Sequence, residues 1–284
     1  MSETKTTEHK TTIPAVEDLH EIVEIVEPVK VEIEPEAVAP VPETPEEEAG
    51  FMATVASDSW NPKTELGKAV KEGKLTSLNE LLGSGEVILE YQITDTLLPD
   101  VESDLLFIGQ SKGKFGGGQK RAFRQTQKKT PEGNKPSFAA LVVLGNKNGI
   151  VGTGYGKSKD TVPAREEALR NAKLNIFKIR RGCGSWQCGC KAPHSIPFKV
   201  SGKCGSCEIV LMPAPRGKGL IVEAEVAKIL AFAGIKDVWS KTYGQTGVKL
   251  NLIFAAVQAL KQLSLTKVLP EQQESLGIVE GTHS

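Results

Sequence analysis

The chain has 284 residues, 39% of them apolar and 5% aromatic, with 35 Lys and Arg exactly offset by 35 Asp and Glu. That length allows one or two compact domains with small cores and excludes one large core. The longest apolar run, Phe138 to Leu144, is seven residues, far short of the roughly 20 of a membrane helix, and the opening MSETKTTEHK lacks a secretory apolar segment, so a soluble cytoplasmic protein is expected.

The neutral total hides a strong asymmetry. Residues 1–50 hold 3 basic and 14 acidic side chains, and residues 51–110 hold 4 and 10. Residues 111–218 hold 22 and 5, whereas residues 219–284 hold 6 and 6. A basic centre of that density is the footprint expected of a polyanion partner, because Lys and Arg displace counterions from a phosphate backbone.

Residues 1–57, with six prolines and one aromatic, carry too little apolar surface to offset chain entropy and read as a disordered acidic tail. The tail is either a plain solvated extension or an arm that docks on a basic protein or shields the basic centre. Order is expected from about Ser59, with residues 58–100 as a helical and strand lead-in. Asn61-Pro62 and KTELGKAVKEG read as a helix start; TSLNELLGSG offers a second short helix, and VILEYQIT and DLLFIGQ read as strands. Residues 111–137, with eight Lys or Arg, read as a glycine-rich basic connection. FAALVVLG, the Asn148-Gly149 turn and IVGTGYG form a hairpin signal. A helix is predicted from about Thr161, its apolar face running through Ala164, Ala168, Leu169, Ala172 and Ile176 and its C-terminal end crowded by Lys173, Lys178, Arg180 and Arg181. After a cysteine-rich connector over residues 181–207, EIVLMP and GLIV read as strands, EVAKILAFAG as a helix, Val238 to Thr242 as a strand and NLIFAAVQALKQL as a longer helix. The domains are thus placed at 101–180 and 208–268, with a tail over 269–284.

GTGYGKS at residues 152–158 invites a phosphate-loop reading, but the spacing fails: Val151 stands where a glycine is required. The glycines are better explained by a tight hairpin and close packing. The basic stretch combines Lys112, Lys114, Lys120, Arg121, Arg124, Lys128 and Lys129 with Phe115 and Phe123, a mixture suited to phosphates, sugars and unpaired bases.

All five cysteines lie between Cys183 and Cys207, an odd number in a chain without a secretory signal, which argues against a disulfide framework. Cys183, Cys188, Cys190 and His194 could close a tetrahedral zinc site, with Cys204 as a substitute ligand. Reduced, unliganded thiols are the competing reading, in which His194 contacts RNA. No His–carboxylate pairing or nucleophile elbow is legible, so no catalytic residue is expected.

The ordered string from the GYGKSK hairpin through KLNI, PHSIPFKV, PAPRGKGL and AGIKDVWSK resembles the fifth protein of the small ribosomal subunit in its archaeal form, over about residues 60–268. The resemblance implies an α+β fold: a double-stranded-RNA-binding-like αβ domain, then a small αβ sandwich with a left-handed crossover. It implies binding to small-subunit rRNA where its 5′, central and 3′ portions meet. It implies neighbours in the fourth, third, second and eighth small-subunit proteins, and contact with messenger RNA near the channel by which it enters, with an influence on translational accuracy. Carried over residue by residue, it places RNA contacts at the basic stretch and at Lys157, Arg180, Arg181, Arg216 and Lys218. Related archaeal chains tend to carry a basic residue after GQT, where this chain has Gly247. Two other classes compete with a structural ribosomal component: a phosphoryl-transfer enzyme, and a free-standing RNA-binding regulator with a zinc clip.

Overall fold

The computed structural model describes residues 60–110 and 118–281. The expected acidic tail, Lys112, Lys114 and Phe115 lie outside the described residues.

Three short helices lead in: α1 (Glu65–Lys71), α2 (Leu78–Ser84) and α3 (Tyr91–Leu97). Thr64 caps α1 by accepting the Gly67 N–H at 3.0 Å. A second cap comes from outside the helix. The Glu90 carboxylate accepts the N–H groups of Lys63 (2.8 Å) and Thr64 (2.7 Å) and the indole N–H of Trp60 (2.8 Å). Gly85, at φ 78°, ends α2 in the left-handed region that favours glycine.

The segment read as the strand VILEYQIT turns helical at Tyr91 because its partner is another helix. Along α4 (Thr161–Leu174), Arg170 and Lys173 lie over the Tyr91 ring, Thr94 Oγ1 donates to the Lys173 carbonyl at 2.9 Å, and Asp95 pairs with Lys173 at 2.6 Å. Positions 91, 94 and 95 share one helical face, whereas a strand would alternate them between two.

The first sheet contains β1 (Glu102–Leu105), β4 (Arg124–Thr130), β5 (Gly133–Gly145), β6 (Ile150–Ser158) and β7 (Ile176–Lys178), in the order β1-β5-β6-β7 with β4 also paired to β5. A small ribbon joins β2 (Gly109–Gln110) to β3 (Lys120–Arg121). The predicted β5–β6 hairpin is present, with Gly149 at φ 95° in its turn. The basic connection is corrected: from Arg124 it is the antiparallel hairpin β4–β5, not a loop. The helix is corrected too, since it ends at Leu174 and Ile176 is a buried residue of β7. Lys178 then lies in β7 and Arg180 and Arg181 in β8 (Arg180–Arg181), not at a helix end.

From Ala139 onward β5 is buried on both faces, which explains its unbroken apolar run. Ala140, Val142 and Leu144 face one core with Ala168 and Ala172 of α4. Opposite them in register stand Gly156, Gly154 and Gly152 of β6. The other face, through Leu141 and Val143, joins the core of the second half.

That half has a four-stranded sheet in the order β11-β12-β10-β9, from β9 (Val200–Cys204), β10 (Cys207–Pro213), β11 (Leu220–Ile221) and β12 (Val238–Tyr243). Helix α5 (Ala224–Phe232) connects the parallel pair β11 and β12, and α6 (Lys249–Leu265) follows. The sheet begins at Val200, inside the expected connector, because β9 pairs with β10. Val226, Ile229 and Leu230 of α5 share one core with Leu141, Val143 and Val151 of the first sheet and Ile209 and Leu211 of the second. The expected tail is also partly ordered: α7 (Pro270–Leu276) and β13 (Val279–Glu280) return the chain to β8. Among the described residues, no helix is long and apolar enough to cross a membrane.

Candidate nucleic-acid interface and metal centre

Several cations over the protein body are paired: Lys173 with Asp95, Lys228 with Asp104 at 2.8 Å, Lys249 with Glu223 at 2.8 Å, and Lys178 and Arg180 with Glu280. Lys120, Arg121, Arg124, Lys128, Lys129, Lys157, Arg216 and Lys218 are all exposed. None of these eight makes an ion pair with another described residue.

The hairpin β4–β5 carries Arg124, Lys128 and Lys129 of that set, together with Lys135, which pairs with Glu132 of the turn at 3.1 Å. Both its strands project beyond the core, exposed from Arg124 to Lys129 and from Gly133 to Pro136. Register puts Lys128 opposite Lys135, and Arg124 and Lys157 on either side of Ala139. Directly opposed residues share a face and so do residues two or four apart, so Arg124, Lys128, Lys135 and Lys157 form a row on one face. Like charges directly opposed destabilise an isolated hairpin, whereas a polyanion lying along it reverses the sign.

Arg180 and Arg181 do not belong to this surface, contrary to expectation. The Arg181 side chain is buried, and its guanidinium donates to the carbonyls of Lys147, Asn148 (2.9 Å) and Gly281 (3.3 Å), tying the β5–β6 turn to the strand pair β8–β13. Arg180 donates to Glu280 and to the carbonyls of Leu263 and Thr266. Both guanidinium groups are turned to partners within the protein, and the signal for this lies at β13, about a hundred residues away in sequence.

The second basic element is the turn after β10. Lys218 N–H donates to the Pro215 carbonyl at 3.3 Å, Gly217 sits at φ 86°, and the tips carry Arg216 and Lys218. Its far end is held by Asp237, whose Oδ1 accepts the Gly219 N–H at 2.8 Å.

Asp237 also reaches the cysteine window. Cys183, Cys188, Cys190 and His194 come together with all their ligand atoms within 4.8 Å of one another. His194 Nδ1 lies 2.8 Å from Asp237 Oδ2, and its Nε2 stands 3.8 Å from Cys188 Sγ. The carboxylate thus accepts a hydrogen bond from Nδ1–H and leaves Nε2 as the nitrogen that faces the sulfurs, the arrangement that orients metal-binding histidines. Backbone N–H groups of Arg216 and then Cys190 hold the Cys188 thiol down at about 6, favouring its thiolate. Burial pushes Cys183 the other way, to about 11. In a tetrahedral site with Zn–S bonds near 2.3 Å, sulfurs stand about 3.8 Å apart, so a zinc ion needs only a slight contraction of this cluster. Cys204 is excluded as a substitute ligand: it sits opposite Cys207 in the β9–β10 pair and packs against the main core. Cys207 donates its thiol proton to the Gln245 carbonyl at 2.8 Å.

A family model for ribosomal protein S5, N-terminal domain, matches residues 122–180, and one for ribosomal protein S5, C-terminal domain, matches residues 202–273. The small ribosomal subunit protein uS5 of Nanoarchaeum equitans is 47% identical over 225 residues, covering 79% of this chain and 96% of the relative. The chain belongs to the ribosomal protein S5 family. The uS5 protein of Methanocaldococcus jannaschii is 44% identical over 224 residues (79% and 96%), and that of Methanobrevibacter smithii 42% over 221 residues (78% and 97%). Within the S5 framework, the first matched segment carries the basic hairpin and the second carries the Arg216 turn. The ligand cluster from Cys183 to His194 lies between the two matched segments.

Proposed function

We infer that the chain is a structural, non-catalytic constituent of the small ribosomal subunit, at work in the cytoplasm, and that it binds small-subunit rRNA. The observation that carries this reading is a set of eight exposed cations, on and beside the β4–β5 hairpin and on the Arg216 turn, that make no ion pair with another described residue. Unpaired Lys and Arg on a projecting ribbon suit phosphates, with RNA shape and splayed bases supplying specificity. Lys120, Arg121, Arg124, Lys128, Lys129, Lys157, Arg216 and Lys218 are the proposed RNA contacts, with Lys112 and Lys114 extending the set in sequence. Membership of the S5 family displaces the phosphoryl-transfer reading.

The finer assignments follow from the same reading. The first domain acts as a double-stranded-RNA-binding-like module, supported by one helix laid on an antiparallel sheet, and the second is a sandwich with a left-handed crossover. The basic hairpin and turn face rRNA and messenger RNA near the channel by which it enters, where the chain contributes to translational accuracy. The fourth, third, second and eighth small-subunit proteins are its neighbours. Cys183, Cys188, Cys190 and His194 hold a structural zinc ion, supported by four convergent ligands and the Asp237 carboxylate behind the histidine.

Co-sedimentation tests the central reading. The chain is expected to travel with small subunits through a gradient at moderate salt, as core proteins do. Its complete loss while other core proteins remain bound would remove the ribosomal assignment.

A further inference from the structure

Trp186 is the most exposed large apolar side chain among the described residues, at 88%. Tryptophan is usually well covered in folded proteins, and this one stands in a tightly specified turn. The Cys188 N–H donates to the Ser185 carbonyl at 3.1 Å, closing a four-residue turn in which Trp186 and Gln187 are the central pair. The Gln187 N–H donates to Ser185 Oγ at 3.4 Å, and the Cys183 thiol donates to the Cys188 carbonyl at 3.0 Å. Ser185 and Cys183 are themselves buried. The backbone beneath the indole is therefore fixed before any partner arrives, and only side-chain torsions remain to be ordered on binding.

A second exposed side chain stands on the Arg216 turn. The Cys188 sulfur stands 3.8 Å from His194 Nε2, His194 Nδ1 lies 2.8 Å from Asp237 Oδ2, and Asp237 Oδ1 accepts the Gly219 N–H at 2.8 Å, so one chain of contacts braces the Trp186 turn against the Arg216 turn. The surrounding segment is one-sided in charge. Between residues 182 and 219, Lys191, Lys199, Lys203, Arg216 and Lys218 are exposed cations and Glu208 is the sole acid. A protein partner would match an exposed indole with apolar surface. An indole carried on so basic a segment matches an unpaired nucleotide instead, the base on the ring and the phosphate on the guanidinium.

We propose that Trp186 and Arg216, whose turns are braced together through Cys188, His194 and Asp237, form a binding site for a single unpaired nucleotide of RNA, with Trp186 as the stacking platform and Arg216 as the phosphate contact. The site rests on the RNA-binding reading above and adds a contact that the basic hairpin does not supply. Aromatic stacking is tolerant of base identity, so the site selects a splayed base rather than a particular sequence. Removing the indole costs affinity without changing the number of counterions released, whereas removing the guanidinium changes both.

The test uses the full chain, a short single-stranded RNA of mixed sequence and the matching duplex, followed by tryptophan fluorescence. Trp60 is buried and Trp239 half-buried, so quenching by the single strand reports Trp186. Trp186→Ala is expected to abolish the quench and weaken single-strand binding roughly five- to a hundredfold, with an unchanged salt slope. Trp186→Phe should restore most of the affinity, and Arg216→Ala should lower the slope by about 0.7. Equal single-strand affinity of Trp186→Ala and wild type, with salt-dependent binding intact, overturns this site and leaves the RNA-binding reading standing. The same equality combined with failure of Trp186→Ala to enter small subunits assigns the indole to a protein neighbour and also overturns the site. Absence of any salt-dependent RNA binding by the wild type overturns both readings.

Discussion

Gly154 of β6 and Ala168 of α4 lie so close that a Cβ added to the glycine would stand 2.1 Å from the Ala168 carbonyl oxygen. The same seat repeats along the interface: Gly152 meets the Ala172 carbonyl at 2.4 Å and Gly156 the Ala164 carbonyl at 2.3 Å, measured to the added Cβ. Two residues of strand advance about 6.7 Å and four of helix about 6 Å, so three glycines and three alanines stay in step. The GTGYG string that resembles a phosphate loop is thus the floor on which the helix rests. Gly202 repeats the device against Ala255 and Ala259 of α6.

Gly154→Ala is therefore expected to destabilise the chain by about 3 kcal/mol or more, because the clash is with helix backbone that cannot step aside. Gly83→Ala is the control. Gly83 lies inside α2, and its nearest neighbour outside that helix is Lys178 Nζ, 3.8 Å from the added Cβ. That variant should gain about 0.5–1 kcal/mol from helix propensity. Urea unfolding of both variants measures the contrast, and equal midpoints would remove the packing account of the glycine string.

The Glu90 cap makes a pH-dependent contribution. Burial pushes its carboxyl up, but the N–H groups of Thr64, Lys63 and Trp60 outweigh this and leave its pKa below the usual carboxylate value. A carboxyl depressed in the folded state stabilises above its unfolded pKa of about 4.3, and the contribution disappears as pH falls through the folded value. Glu90→Gln is expected to cost about 1–3 kcal/mol at pH 7, since one amide oxygen replaces two carboxylate oxygens before three donors. The difference from wild type should shrink toward pH 3 in unfolding experiments, and a pH-independent difference would contradict the cap.

How far the sequence discloses this fold depends on how local each cause is. The β5–β6 hairpin is legible because an apolar run and the Asn148-Gly149 turn sit side by side, and α5 and α6 because their apolar periodicity is strong. Helix α3 is not legible: Ile93 and Thr94 favour a strand by propensity, and what overrides them is the docking of Tyr91, Thr94 and Asp95 on α4, some eighty residues later. The β4–β5 hairpin is hidden for another reason. Its strands are exposed on both faces, so no alternation of polarity marks them, and β4 meets the buried part of β5 only at Ala139. For the site, the four metal-ligand positions are legible as a spacing. The internal use of Arg180 and Arg181 is not, because their partners come from β13 and from the end of α6.

The contrast between Arg124 and Lys128, exposed and without ion pairs, and Arg180, bonded within the protein, predicts a division in salt dependence. Arg124→Ala combined with Lys128→Ala should lower the slope of log affinity against log salt by about 1.8 for duplex rRNA fragments, or about 1.4 for single strands. Arg180→Ala should leave that slope unchanged and instead lower stability, since its guanidinium bridges Glu280 and two carbonyls. Binding isotherms at several salt concentrations separate the two. A slope change in Arg180→Ala equal to that of a hairpin residue would return it to the RNA surface.

Asp237 gives the metal reading its sharpest test, because it touches the cluster without supplying a ligand. Its Oδ2 orients His194 and its Oδ1 holds the Gly219 N–H, so one side chain links the cluster to the Arg216 turn. The full chain purified without chelator is expected to carry zinc at about one equivalent, and Cys188→Ser to lose most of it. Asp237→Asn should keep the fold and the four ligands yet bind zinc about 10- to 100-fold more weakly, the usual effect of removing a carboxylate behind a ligating histidine. Competition with a chromophoric chelator measures both variants. Zinc bound as tightly by Asp237→Asn as by wild type would show that His194 needs no such orientation, and absence of zinc from the wild type under reducing conditions would leave the four residues as plain thiols and a buried histidine.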